Sequence, residues 1–281
     1  MGRHRERDVR ARARPLLGDR QAAARALTKR AIAAFAHPDD ETFSVGGTLA
    51  RAISLGWRVT AICATRGEVG EIAPGTNATP ETLGTVREQE LRAACAALGV
   101  MDVRFLGYRD SGMDGTPENS DRRAYANAPA DEVIGKLVAL FAEDPPAVVF
   151  TFDERGIYGH PDHKAIHHHA TAAFDRAAAP GARLLYTALP KSVAKMIGEQ
   201  LRAAGVDGGP PGDFGVPDEE VDIRADVSGF AEPKRTAVAA HATQVAEWQV
   251  HLSDEQRMKM LSTEYFHVAR GSKPANDDPL A

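Results

Sequence analysis

Two short clusters hold the residues best suited to chemistry. The first, AHPDDE at 36–41, sets His37 and Asp40 three residues apart with Pro38 restraining the backbone between them. A turn can aim that imidazole and carboxylate at one cation, which leaves Asp39 as a second carboxylate outside the ligand set. The second, YGHPDH at 158–163, repeats the pattern with His160, Asp162 and His163. One His-Pro-Asp alone reads as a turn at a strand end. Two supply two imidazoles and a carboxylate, the three-ligand set that leaves the fourth position of Zn2+ open to water, and Fe2+ fits the same donors. His167 lies one helical turn beyond His163 on the same face, so spacing leaves the choice between them open. The rest of the run His167 to His169 reads as a solvent-facing polar stretch.

Clusters so far apart in sequence need a fold that brings them together. From Arg30 onward, short apolar β-branched runs alternate with helical periods, the pattern of an α/β, Rossmann-like fold with a mostly parallel twisted sheet and helices on both faces. Strands are predicted at 31–36, 58–64, 103–108, 147–153 and 183–189, with a weaker one at 221–227. Helices are predicted at 44–56, 80–99, 130–144, 160–177, 190–204 and 230–250. Loops at 72–79, 111–129 and 205–218 are rich in Gly, Pro, Asn and Asp. In a doubly wound sheet of order 3-2-1-4-5 the first and fourth strands are neighbours, and their carboxyl ends flank the crevice where such sheets bind ligands. Both clusters follow those strands. The organisation expected is a basic arm at 1–29, one domain at 30–270 and a loose tail at 271–281.

Composition bounds the partners. A net charge of -5 gives no field to recruit nucleic acid, and no run approaches the roughly 20 apolar residues of a membrane span. The two cysteines, Cys63 and Cys95, lie in apolar patterns, which suits a reducing, cytoplasmic setting. The first thirty residues carry ten Lys or Arg against three acids and read as a solvated arginine-rich segment. A homo-oligomer is compatible with the sequence but not specified by it.

AHPDDE and GHPDH together resemble the two signatures of the GlcNAc-phosphatidylinositol de-N-acetylase (PIG-L, LmbE-like) superfamily. TRGEVGE after the second strand, Arg87 to Glu90 (R-x-x-E), YRDSGM after the third strand and KRTAVAAHATQ near the C-terminus agree with it. The resemblance spans about Arg30 to Gln249, and YRDSGM with YGHPDH is similar to the branch that contains the mycothiol-pathway deacetylase and amidase. It implies hydrolysis of an N-acetyl amide on a small N-acetylglucosaminyl-type substrate. It also implies that His37, Asp40 and His163, in preference to His167, hold zinc, and that Asp39 is the general base. His160 would protonate the leaving amine or stabilise the oxyanion, Asp162 would orient His160, and Tyr158 would polarise the carbonyl. Arg87, Asp110 and Glu71 would contact the sugar, and His241 would approach the cleft. The Gly- and Pro-rich stretch 205–218 and the basic arm depart from the family pattern.

The residues support that chemistry without the family. A bound zinc ion lowers the pKa of water towards about 7, a neighbouring carboxylate can take the remaining proton, and an amide nitrogen leaves only once protonated. Two other readings compete: an amidase acting on a larger thiol-conjugate amide, and a non-catalytic sugar- or nucleotide-binding module. The first strand-to-helix turn, FAHPDDETFSVGG, opposes the second of these, because it lacks G-x-G-x-x-G and sets carboxylates where a pyrophosphate would sit.

Overall fold

A computed structural model describes residues 28–203, 214–244 and 253–281. The basic arm to residue 27, most of the 205–218 stretch and the end of the predicted 230–250 helix lie outside those residues. The sheet is built on β1 (Arg30–Phe35), β2 (Arg58–Cys63), β3 (Asp102–Phe105), β4 (Val148–Thr151), β5 (Arg183–Thr187), β6 (Ile223–Asp226) and β7 (Thr263–Arg270). Its order is β3-β2-β1-β4-β5-β7-β6. The first five strands pair in parallel, and β7 enters antiparallel between β5 and β6. The expected order 3-2-1-4-5 is therefore present, extended by two antiparallel strands.

β1 is buried along its whole length, as a central strand covered on both faces must be. Register pairs Ala31 with Val59 on one side and Val148 on the other, so β1 and β4 run side by side to adjoining carboxyl ends. Helices α1 (Asp40–Ser54), α2 (Leu83–Ala97), α3 (Ala130–Ala142), α5 (Pro161–Ala177), α6 (Lys191–Ala203) and α7 (Ala231–Ala240) fall within the predicted spans or start a few residues early. The short turn α4 (Gly156–Gly159) precedes α5, and α8 (Asp254–Leu261) precedes β7.

Three expectations are corrected. α1 begins at Asp40 rather than at 44, so the first cluster forms the strand exit and the first helical turn. The 230–250 helix breaks at His241, whose φ of -83 and ψ of 53 are not helical. The last residues are docked rather than loose. Asp278 accepts both Arg51 Nη1 and Nη2 at 2.8 Å, Leu280 is buried, and Arg183 Nη2 donates to the Ala281 carbonyl.

Candidate metal centre and active site

His37 leaves the end of β1, and His163 sits in the first turn of α5 beyond β4. Phe152, at the β4 exit, meets Phe35 edge-on at 4.8 Å and stacks on the His163 ring at 4.0 Å, so the apolar core sets that imidazole's plane. Pro161 opens α5 at a position where a missing N–H is harmless, and His160 caps the helix by accepting the Asp162 amide on Nδ1 at 3.1 Å.

Hydrogen bonds fix the tautomers. His163 Nδ1 donates to the Gly156 carbonyl at 3.2 Å, and His37 Nε2 donates to Asp162 Oδ2 at 3.1 Å, because a carbonyl and a carboxylate can only accept. The remaining nitrogens, His37 Nδ1 and His163 Nε2, then face each other 3.2 Å apart, a gap that a shared proton or a cation can bridge. Asp40 completes the face, with Oδ2 3.6 Å from His37 Nδ1 and Oδ1 3.5 Å from His163 Nε2. Ligands bound to tetrahedral zinc at about 2.0–2.1 Å lie about 3.3 Å from one another, and the 3.2 Å between the two imidazole nitrogens is of that size, with a different Asp40 oxygen facing each ring. Both rings are also backed by acceptors on their far side, the usual support of metal-ligating histidines.

Among the described residues the donor sets whose atoms converge are His37 with His160 and His163, and His37 with Asp110 and Asp162, and Asp40 stands in neither. His160 already uses Nδ1 at the helix cap. The Asp110 and Asp162 carboxylates accept backbone amides of Gly112, Val69 and Ser111 and the Ser111 hydroxyl, so they support His37 from behind.

Charge is concentrated in this crevice. Burial lowers the basicity of His37, yet its bonds to Asp110 and Asp162 outweigh that and raise its pKa well above the ordinary imidazole range. Burial pushes the Asp40 carboxyl up to about 7. Burial, then the neighbouring His37, brings His160 down to about 4 and His163 well below its usual value. A surplus of buried carboxylates that favours a proton on His37 equally favours a metal ion beside it.

Two residues next to the ligands hold strained backbones. Asp39 has φ 117 and Ile157 has φ 60, conformations costing a non-glycine residue about 1–3 kcal/mol each. Arg87 Nη2 donates to the Pro38 carbonyl at 2.8 Å and to Asp39 Oδ2 at 3.3 Å, and Nη1 donates to the Gly67 carbonyl at 3.1 Å. Gly67 must lack a side chain, since a Cβ there would fall 2.2 Å from the guanidinium. Gly156 is required for the same kind of reason, a Cβ there meeting that of His163 at 2.8 Å.

The expected site residues fall into layers. Asp39, Tyr158 and His160 lie around His37, Asp40 and His163. Tyr158 is half exposed, its ring 5.0 Å from that of His163 and 6.1 Å from that of His160. Arg87 and Asp110 are buried beneath Asp39 and His37, and Glu71 is exposed in a loop whose carbonyl accepts Gln244 Nε2 at 2.9 Å. Asp162 differs from its expected part. Its carboxylate holds His37 and Ser111, and only its backbone amide touches His160. His167 is turned away, with Nδ1 on the Phe152 carbonyl at 3.0 Å and its ring on Tyr186 at 4.7 Å. Sequence reasoning passed over Ser111, which stands inside the quoted YRDSGM but bears no group that titrates near neutrality. It also passed over Glu41, which adjoins the ligands.

Comparison with known proteins agrees with this arrangement. The family model described as PIG-L: GlcNAc-PI de-N-acetylase matches residues 32–174, which include both clusters. A 1D-myo-inositol 2-acetamido-2-deoxy-alpha-D-glucopyranoside deacetylase of Geodermatophilus obscurus is 39% identical over 279 residues, covering 89% of this chain and 95% of its own. The N,N'-diacetylchitobiose deacetylase of Pyrococcus horikoshii superposes with a TM-score of 0.57 at 18% identity, over 92% of this chain and 94% of that one. GalB, the 4-carboxy-2-hydroxymuconate hydratase of Pseudomonas putida KT2440, does so with 0.59 at 18% identity, over 89% and 99%. At such identities the two structures share the fold alone.

Proposed function

Since the chain belongs to the GlcNAc-PI de-N-acetylase family, we propose that it is a metal-dependent amidohydrolase that removes the acetyl group from 1D-myo-inositol 2-acetamido-2-deoxy-α-D-glucopyranoside or a close relative. The products are acetate and a free amino sugar. The observation that carries this reading is the close approach of His37 Nδ1 and His163 Nε2, closed by Asp40 and bordered by the carboxylate of Asp39.

His37, Asp40 and His163 would hold a divalent cation, which when bound would supply Lewis-acid stabilisation of the acetyl oxygen and make water at the site more acidic. Asp39 takes the proton from the attacking water. Burial raises its pKa against the opposing pull of Arg87, which makes it a stronger base than an ordinary aspartate. The same carboxyl can then return the proton to the departing amine. His160, with Nδ1 occupied by the helix cap and a pKa of about 4, is neutral near pH 7 and carries its proton on Nε2. That suits a donor to the developing oxyanion, the second of its two expected roles. Tyr158, at the mouth, offers its hydroxyl to the same oxygen. Arg87 and Asp110 act from beneath on Asp39 and His37, and Glu71 belongs to the rim that meets the sugar.

The test is acetate release from that substrate by the chain loaded with Zn2+ and, separately, Fe2+, alongside a thiol-conjugate amide. Release from the N-acetyl sugar with either metal supports the reading. Turnover of the conjugate alone moves the assignment to the amidase, and turnover of neither overturns both.

A further inference from the structure

The mechanism gives the buried His241 no part. His241 ends α7, is 1% exposed, and lies across the first turn of α1 from the metal ligands. Its Nε2 stands 3.3 Å from Thr42 Oγ1, and Thr42 Oγ1 donates to Glu41 Oε1 at 2.5 Å. Because the hydroxyl gives its own proton to the carboxylate, it must accept from the imidazole, so His241 carries Nε2–H. The other oxygen, Glu41 Oε2, accepts the backbone amide of Asp39 at 3.3 Å. A continuous chain of hydrogen bonds thus runs from His241 through Thr42 and Glu41 to the backbone of the residue assigned as the base.

We propose that His241 is a positioning residue for catalysis, holding Asp39 in its left-handed backbone conformation through Thr42 and Glu41. The proposal rests on the reading of Asp39 as the general base. α2 clamps the same unit from the other side. Arg87 grips the Pro38 carbonyl and the Asp39 carboxylate, and Glu90, on the same helix face, receives the Thr243 amide at 2.8 Å and its hydroxyl at 2.6 Å. Glu90 therefore fixes the segment that carries His241, while Arg87 fixes the residue that His241 reaches. The spacing of R-x-x-E and the AHATQ stretch have one explanation in this closed loop of contacts. A non-glycine residue at φ 117 persists only where its surroundings over-determine it, and this loop does so.

The experiment uses the metal-loaded full chain with His241→Ala, and with His241→Gln, whose amide can donate to Thr42. Kinetics are read beside hydrogen exchange of the 37–42 backbone, which needs no substrate. The expected result for the alanine variant is a fall in kcat of about 10- to 100-fold, with KM and metal content unchanged and exchange faster in 37–42 alone. The glutamine variant recovers both. Unchanged exchange in 37–42, or faster exchange throughout the chain with lost metal, overturns the proposal, the latter by reducing His241 to packing. If the wild type releases no acetate yet the local exchange response and its recovery are present, positioning stands and the assignment of substrate fails.

Discussion

Asp162 holds His37, the residue at the end of β1, through a carboxylate–imidazole hydrogen bond of 3.1 Å, although its nearest histidine in sequence is His163. The carboxylate fixes which His37 nitrogen faces the metal position. Asp162→Asn removes the charge and can present an N–H to a nitrogen that is itself a donor. Metal affinity is expected to fall about 10- to 100-fold, measured by chelator competition. An effect confined to kcat, with affinity intact, would return Asp162 to the expected role of orienting His160.

Asp39→Asn should lower kcat by roughly 10²- to 10⁴-fold while metal content is retained, since only the proton acceptor is lost. The pH profile follows from the direction of the Asp39 shift. Its pKa is raised above 3.8, chiefly by burial, so the active carboxylate is depleted as pH falls through that raised value. Arg87 opposes the rise. Arg87→Met therefore moves the acidic limb of kcat/KM to higher pH, and a limb that stays in place or moves lower contradicts the assignment.

The parallel core and the meeting of the two His and Asp clusters were legible because both rest on strong local signals: strand and helix periods, and clusters placed just after the first and fourth strands. β7 was not. Its inward positions alternate from Glu264 to Phe266, and a buried glutamate where an apolar residue is expected hides the period. That glutamate is satisfied only by partners distant in sequence, Lys234 Nζ at 2.7 Å and the amides of Gly47 and Thr48 at 2.8 and 2.9 Å. The support around Asp39 was hidden for the same reason. Glu41 and Glu90 look like surface residues until three helices converge, and the partners of His241 emerge only there. The part of Asp162 implied by the resemblance, orienting His160, differs from what its carboxylate holds, because the helix cap turns it towards His37 and Ser111.

Lys234 and Glu264 form a buried ion pair between α7 and β7, and both side chains are almost fully enclosed. Lys234→Met leaves the carboxylate buried without its cation and should cost about 3–5 kcal/mol in urea unfolding. Gly47 carries a related constraint, because a Cβ there would lie 2.6 Å from Val227. Gly47→Ala is expected to cost about 1–3 kcal/mol through overpacking. A neutral result for Lys234→Met would mean that water reaches the pair.

Metal binding itself separates the two histidines that spacing could not. His163 turns Nε2 toward His37 and Asp40, whereas His167 gives Nδ1 to the Phe152 carbonyl and lies against Tyr186. His163→Ala should therefore lose most bound metal and with it the stabilisation by ligand, about 2.7 kcal/mol when free metal is 100 times the Kd. His167→Ala should keep both. Thermal melts of the two variants with and without zinc, with metal content measured on the same samples, check this directly. The expected pattern is a zinc-dependent rise in Tm for the His167 variant and none for the His163 variant. The reverse pattern would place the metal one helical turn further along α5 and remove Asp40 from its reach.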